Sequence, residues 1–283
     1  MGYSSSYAQS LGDALGTAVE TGSIEVPVLP EIANRVIVLS QDPESDAAQL
    51  AKIIQSDPTM GGHVIRIANS AAYTPNANMV SLQQAITRLG MTEIGNIAVA
   101  ASMNSKMFNA PGYEKHIETI WTHSLASALW AKEVARAMRR NVEAAFLCGL
   151  LHSIGKPVIL QTVADLQKKT PGELNDDDLE QLFSQYESAV CLNVAKEWEL
   201  PTIVTEAIGH YQNFESIDID PDLPATIFFS SQLATHMLAP ETLVKDMLLD
   251  SPALEFVNLY PDDISKLLEK RDDIRSGMES LSP

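Results

Sequence analysis

The run Gly149-Leu150-Leu151-His152-Ser153-Ile154-Gly155-Lys156 puts a histidine at the end of an apolar helix, just before a glycine turn and a lysine. Upstream, Asn141 is placed to cap that helix, and Val142 to about His152 is its body. Before it, Ile117, Trp121, Leu125, Ala128 and Ala135 mark one face of a long helix ending near Arg140. Apolar residues recur at spacings of three and four almost everywhere else, and strict alternation is scarce, so the expected fold is all-α.

The same reading carries outward to both ends. Leu11, Leu15 and Val19 mark a first helix, followed by Pro30–Ser40, a helix capped by Ser45 or Asp46, and one from Asp57-Pro58 to Ser70. Ser81-Leu82-Gln83-Gln84 has the form of a capping box opening a short helix that Gly90 ends, and another helix spans Thr92 to Met107. Asn109-Ala110-Pro111-Gly112 is the clearest internal break. Later helices are expected near 157–168, 177–198, 201–211, 224–238 and 261–275, with Asp176-Asp177-Asp178 as favourable first-turn charge.

Of 283 residues, 19 are basic and 37 acidic, a net charge of −18, which sets long-range repulsion against a nucleic-acid backbone or an anionic membrane surface. The charge is uneven: residues 1–110 hold 5 basic and 9 acidic side chains, 111–165 hold 6 and 5, and 166–283 hold 8 and 23. Only the middle stretch would welcome an anion. Within it Lys132, Arg136, Arg139 and Arg140 form a basic stripe near a helix end, either a solvated face complementing the helix dipole or a site for a phosphate or acidic partner. Cys148 and Cys191 lie in apolar contexts and read as reduced core thiols, which with the absence of a basic signal segment makes a cytoplasmic location the expectation. Met1–Ser6 fits the permissive myristoylation pattern.

Read with its surroundings, the His152 segment resembles the HD phosphohydrolase superfamily, in which an upstream His, a His-Asp pair and a later Asp bind metal. The matching positions are His123, His152-Ser153 and Ser231, so both carboxylates are replaced by serine. A neutral hydroxyl neither balances nor bridges dications, and the resemblance therefore implies a degenerate site with no metal. Val26-Pro27-Val28-Leu29-Pro30, Ile53–Pro58, Ala68–Tyr73 and Ala85–Gly90, then Trp121–Ser124, Glu197-Trp198-Glu199-Leu200-Pro201 and His210-Tyr211, stand in the order seen in the HDOD family, the HD-related output domains of bacterial signalling proteins. That resemblance implies a helical N-terminal lobe (24–110) packed on an HD-like lobe (111–215), preceded by an N-terminal helix (1–23) and followed by an acidic helical extension (216–283). It also implies a non-catalytic, cofactor-free module whose partners are signalling proteins, with any receiver, cyclase or DNA-binding segment supplied by another chain.

Each singled-out residue has a plainer reading. His123, His152 and His210 are equally hydrogen-bonded histidines packed between helices. Asn69 and Ser70 either line a pocket with Tyr73 or simply end their helix. Ser153–Lys156 matches S-x-x-K, but the partner motifs S-D-N and K-T-G are missing. Asp218-Ile219-Asp220-Pro221-Asp222 imitates a calcium loop without its glycine or final glutamate. Two rival functions remain: a divergent phosphohydrolase recruiting His210, Glu206 or Glu187, and a sensor holding a phosphate-containing small ligand against Lys156 and Arg136.

Overall fold

The computed structural model describes residues 5–281 apart from 41, 43, 71–72, 75–78, 104–106 and 217–220. The myristoylation pattern and most of the calcium-like turn lie outside the described residues. Among those described there is no strand.

Five helices build the first lobe: α2 (Glu31–Ser40), α3 (Ala47–Gln55), α4 (Pro58–Ala68), α5 (Leu82–Leu89) and α6 (Met91–Ser102), following α1 (Ser6–Glu20). Local chemistry sets their starts. Asp46, not Ser45, caps α3 and forms a full capping box with Gln49. Asp57 accepts from the Thr59 and Met60 amides with Pro58 in the first turn. Ser81 caps α5, but Gln84 bonds the Val80 amide instead of closing the expected box. Gly90 turns the chain at φ 90°, a conformation that favours glycine. The helix expected to reach Met107 stops at Ser102, because Met103 is extended and buried.

The second lobe holds α7 (Glu114–Met138), α8 (Val142–Leu151), α9 (Gly155–Lys169), α10 (Asp176–Glu197), α11 (Thr202–His210), a 3-10 turn at Tyr211–Ser216, and α12 (Asp222–Leu238). The stretch Val142–Lys169 is apolar enough for a membrane span, yet 72% of its most apolar window is buried in the protein. Asn175 caps α10 and Asp178 closes its box, so the acidic triplet is a helix start. α7 packs along α8 and α12, and α6 joins the lobes through α8. α1 lies on α9 and α10, where the Tyr186 hydroxyl donates to Gly12 O and the Tyr7 hydroxyl to Thr170 O.

After α12 come α13 (Lys245–Leu249) and α14 (Ala253–Val257), each five residues long and too short to show periodicity in sequence. The single helix expected over 261–275 is two, α15 (Pro261–Leu268) and α16 (Arg271–Leu281). At that break Lys270 pairs with Glu133 of α7 at 2.8 Å and Arg271 donates to Met237 O. Thus α12 is part of the second lobe's core, and α16 lies across both α7 and α6.

Candidate functional site

α7 and α8 approach closely because Gly149 faces the α7 backbone; a Cβ there would stand 2.7 Å from Ala128 Cα and 2.9 Å from Ser127 O. This approach brings His152, at the end of α8, to His123 in mid-α7, with ring centroids 5.8 Å apart. His152 is 1% exposed, and its Nδ1–H donates to Gly149 O at 2.8 Å. The Tyr211 ring closes its other side edge-on at 5.1 Å. His123 Nε2 meets Thr235 Oγ1 at 3.0 Å, and that hydroxyl in turn donates to Ser231 O. Ser153 Oγ hydrogen-bonds Ser124 Oγ at 2.6 Å.

Both imidazoles are neutral at physiological pH. Burial, reinforced by the His123 and Lys156 charges, lowers the His152 pKa to about 3. Burial and then Lys156 lower that of His123 to about 4. Lys156, near the start of α9, lies 3.9 Å from the buried Glu187 carboxylate and over the Phe183 ring. Glu187 also accepts from Gln212 at 2.8 Å and from the Tyr211 hydroxyl at 3.3 Å, while burial raises its pKa. Cys191 Sγ accepts from the Gly155 amide and donates to His152 O, fixing the turn between α8 and α9. Both cysteines are free and buried.

This donor set does not fit a metal. The imidazoles offer no partnering carboxylate; Ser153 is turned to Ser124, Ser231 contributes its carbonyl, and Glu187 is held by Tyr211, Gln212 and an ammonium. Among the described residues no group of three His, Cys, Asp or Glu side chains converges on a point that could hold an ion. The replacement ligands considered from sequence do not assemble: His210 pairs with Glu206 at 3.6 Å on the exposed side of α11. Ser153 and Lys156 also face different partners, which leaves the S-x-x-K match without a nucleophile and base pair.

The structure thus gathers His123, His152, Ser153, Ser231 and Lys156, and separates His210 from them. Ser124 and Tyr211, which the sequence offers only as members of the Trp121–Ser124 and His210-Tyr211 motifs, belong to the same network, as do Gln212 and Thr235, which lie in no motif. For Tyr211 a signal exists: Val204, Ala207, Ile208 and Tyr211 share the buried i, i+3, i+4, i+7 stripe, which turns the neighbouring His210 outward.

Three of the four basic residues of the stripe are ion-paired, while Arg136 and Arg140 stay more than half exposed. Lys132 meets Glu93 at 2.6 Å, Arg136 pairs with Glu133, and Arg140 with Asp222. Arg139 caps α7 in the left-handed conformation. Lys132 also stands 5.1 Å over the Tyr73 ring, so two sequence candidates meet at the seam between lobes. The Tyr73 hydroxyl is buried and its pKa is raised by burial, then by Glu93. The Asn69 amide clamps Met79 in both directions, at 2.7 and 2.8 Å.

A helical bundle with paired inter-helix histidines at these positions defines an HD-like protein. The HDOD domain profile matches residues 26–214, and the chain belongs to the HDOD family. Its fold is shared with a Shewanella amazonensis protein described provisionally as a metal-dependent phosphohydrolase (22% identity, TM-score 0.74, covering 98% of this chain and all of that one). It is likewise shared with an HDOD domain protein from Geobacter sulfurreducens (20%, TM-score 0.74, 96% and 97%). A protein from Marinobacter aquaeolei, described provisionally as a signal transduction protein, has 20% identity and TM-score 0.66, covering all of this chain and 68% of its own. An uncharacterised protein of Treponema pallidum is 19% identical over 199 residues, 67% of this chain but only 38% of that relative's length.

Proposed function

We propose that this chain is a non-catalytic output module of bacterial signalling that works in the cytoplasm through protein contacts, without a metal or other cofactor. The observation that carries the reading is the Ser124–Ser153 hydroxyl pair at 2.6 Å, standing where the HD resemblance calls for a carboxylate. Neutral hydroxyls bonded to one another leave nothing to offset a dication or activate water. The Marinobacter protein's description agrees with a signalling role. The Shewanella protein's description names the rival, a phosphohydrolase.

The test is elemental analysis of protein purified without chelator, with assays on phosphomonoesters, phosphodiesters and cyclic dinucleotides in added manganese, iron or zinc. The expected result is substoichiometric metal and no turnover. A full equivalent of metal, or turnover abolished by His152→Ala, would establish the hydrolase instead.

A further inference from the structure

We propose that the apolar recess between α2, α3, α6 and α8 binds a small uncharged molecule with a short alkyl group and an amide or other carbonyl head. Such a site gives the module a small-molecule input where its two lobes meet. It goes beyond the protein-contact reading above and does not depend on it.

The recess has a volume of about 90 Å³. Its walls include the buried Val36 and Ile37 of α2, Leu50 of α3 and Val99 of α6, and Leu147 of α8 reaches it from the second lobe. On α6, Thr92, Gly95, Asn96 and Val99 stand at i, i+3, i+4 and i+7, so one helical stripe lines it. Gly95 keeps that stripe open: a Cβ there would stand 3.2 Å from Val36 Cγ1, so even a methyl group would crowd the α2 side. Volume then limits the occupant. An apolar cavity of about 150 Å³ holds benzene, and one of about 90 Å³ takes an alkyl group of about four carbons.

The lining sets the rest of the chemistry. None of the ten lining residues is charged, and Glu93, next to them in sequence, is paired with Lys132 at 2.6 Å. An ionised occupant would leave water with no counter-charge to meet it, so the ligand is neutral. Two polar side chains interrupt the apolar wall: Thr92 is exposed, Asn96 is half-buried, and neither side chain has a hydrogen-bond partner among the described residues. An amide with its N–H and C=O both free, beside the buried Gly95 and Val99, suits a head group that accepts and donates while its alkyl chain lies against apolar side chains. Thr92 is the only exposed lining residue, so little of the recess lies open to a protein surface laid over it, and an occupant small enough to enter whole fits better. Because Leu147 belongs to the helix that ends at His152 and the other lining residues belong to the first lobe, that occupant touches both lobes at once.

Primary amides from propanamide to octanamide, titrated into the full chain and followed through the methyl resonances of Val36, Val99 and Leu147, test this. Affinity is expected to rise about fourfold per CH₂ as far as pentanamide, whose alkyl chain has four carbons, and then to level off or fall. Pentanoate and butylammonium, which carry a similar chain on a charged head, should bind at least about tenfold more weakly. Asn96→Ala should weaken pentanamide about fivefold through the lost head-group bond. Leu147→Phe, which adds volume at a half-buried wall, should abolish binding while the protein stays folded. Gly95→Ala narrows the recess and should move the best ligand from pentanamide to butanamide, a readout that holds even if Leu147→Phe fails to fold. Absence of saturable binding, affinity that climbs steadily through octanamide, equal binding of the charged analogues, or an unchanged optimum in Gly95→Ala overturns the proposal. None of these outcomes touches the metal and turnover test, so the two readings fail separately.

Discussion

Replacing Gly149 with Ala sets a local gain against a tertiary loss. Helix propensity alone favours the change by about 1 kcal/mol, since Gly149 lies inside α8. Against it, the added Cβ would stand 2.7 Å from Ala128 Cα, 2.9 Å from Ser127 O and 3.0 Å from Ala128 N. These atoms are backbone, with no side chain to rotate away, so α8 must move off α7 by a sizeable fraction of an ångström. Overpacking of this kind costs about 1–3 kcal/mol, and the absence of a yielding group puts this site at the upper end. The same movement disturbs the His152 Nδ1–Gly149 O bond, adding roughly 1 kcal/mol. The net expectation is a loss of about 2–3 kcal/mol, a fall in Tm of roughly 4–10 °C for a chain of this size. Gly62→Ala in α4 is the internal control: that site is exposed with nothing within 4 Å, so only the propensity gain applies and Tm should rise by ~2–4 °C. Calorimetric or circular-dichroism melts of the two variants decide it. A Gly149→Ala protein melting at or above the parent would refute the close α7–α8 contact that places His152 against His123.

Acid sensitivity follows from the buried imidazole of His152. Its folded pKa of about 3 lies below the ordinary 6.5, so the unfolded chain binds the proton first and stability falls as pH drops below 6.5. Between pH 6.5 and about 5 the loss from this one group is roughly 2 kcal/mol, visible as a lower urea midpoint. Glu187, raised by burial, runs the other way, binding its proton more readily in the folded state and offsetting part of the loss at the acid end. A His152→Ala variant should melt lower at pH 7 but lose less on acidification; a parent midpoint flat from pH 7 to 5 would count against burial of a neutral ring. Asn69→Ala should lower stability by about 2 kcal/mol, because two hydrogen bonds to Met79 go together, and an unchanged urea midpoint would contradict that clamp.

Much of the helical plan is legible from local pattern. Asp57-Pro58, Asn141 and the i, i+3, i+4 stripes act within one or two turns, so α4, α8 and the long α7 appear near their expected bounds. The sequence likewise shows, without coordinates, serines at 153 and 231, the positions that the HD resemblance matches to carboxylates. What lies beyond local reach is partnership. Lys132, Arg136 and Arg140 look like one cationic face until Glu93, Glu133 and Asp222 meet them, in two cases from helices far along the chain. α13 and α14 are too short to carry a period, and their helicity is decided by packing. Thr235 takes over at His123 because one helical turn separates it from Ser231, a choice set by how α12 lies on α7. Propensity, capping and patterning are properties of neighbours in sequence, so they can be read there. Ion pairs and buried hydrogen bonds between distant segments depend on where helices cross, which only the packed fold determines.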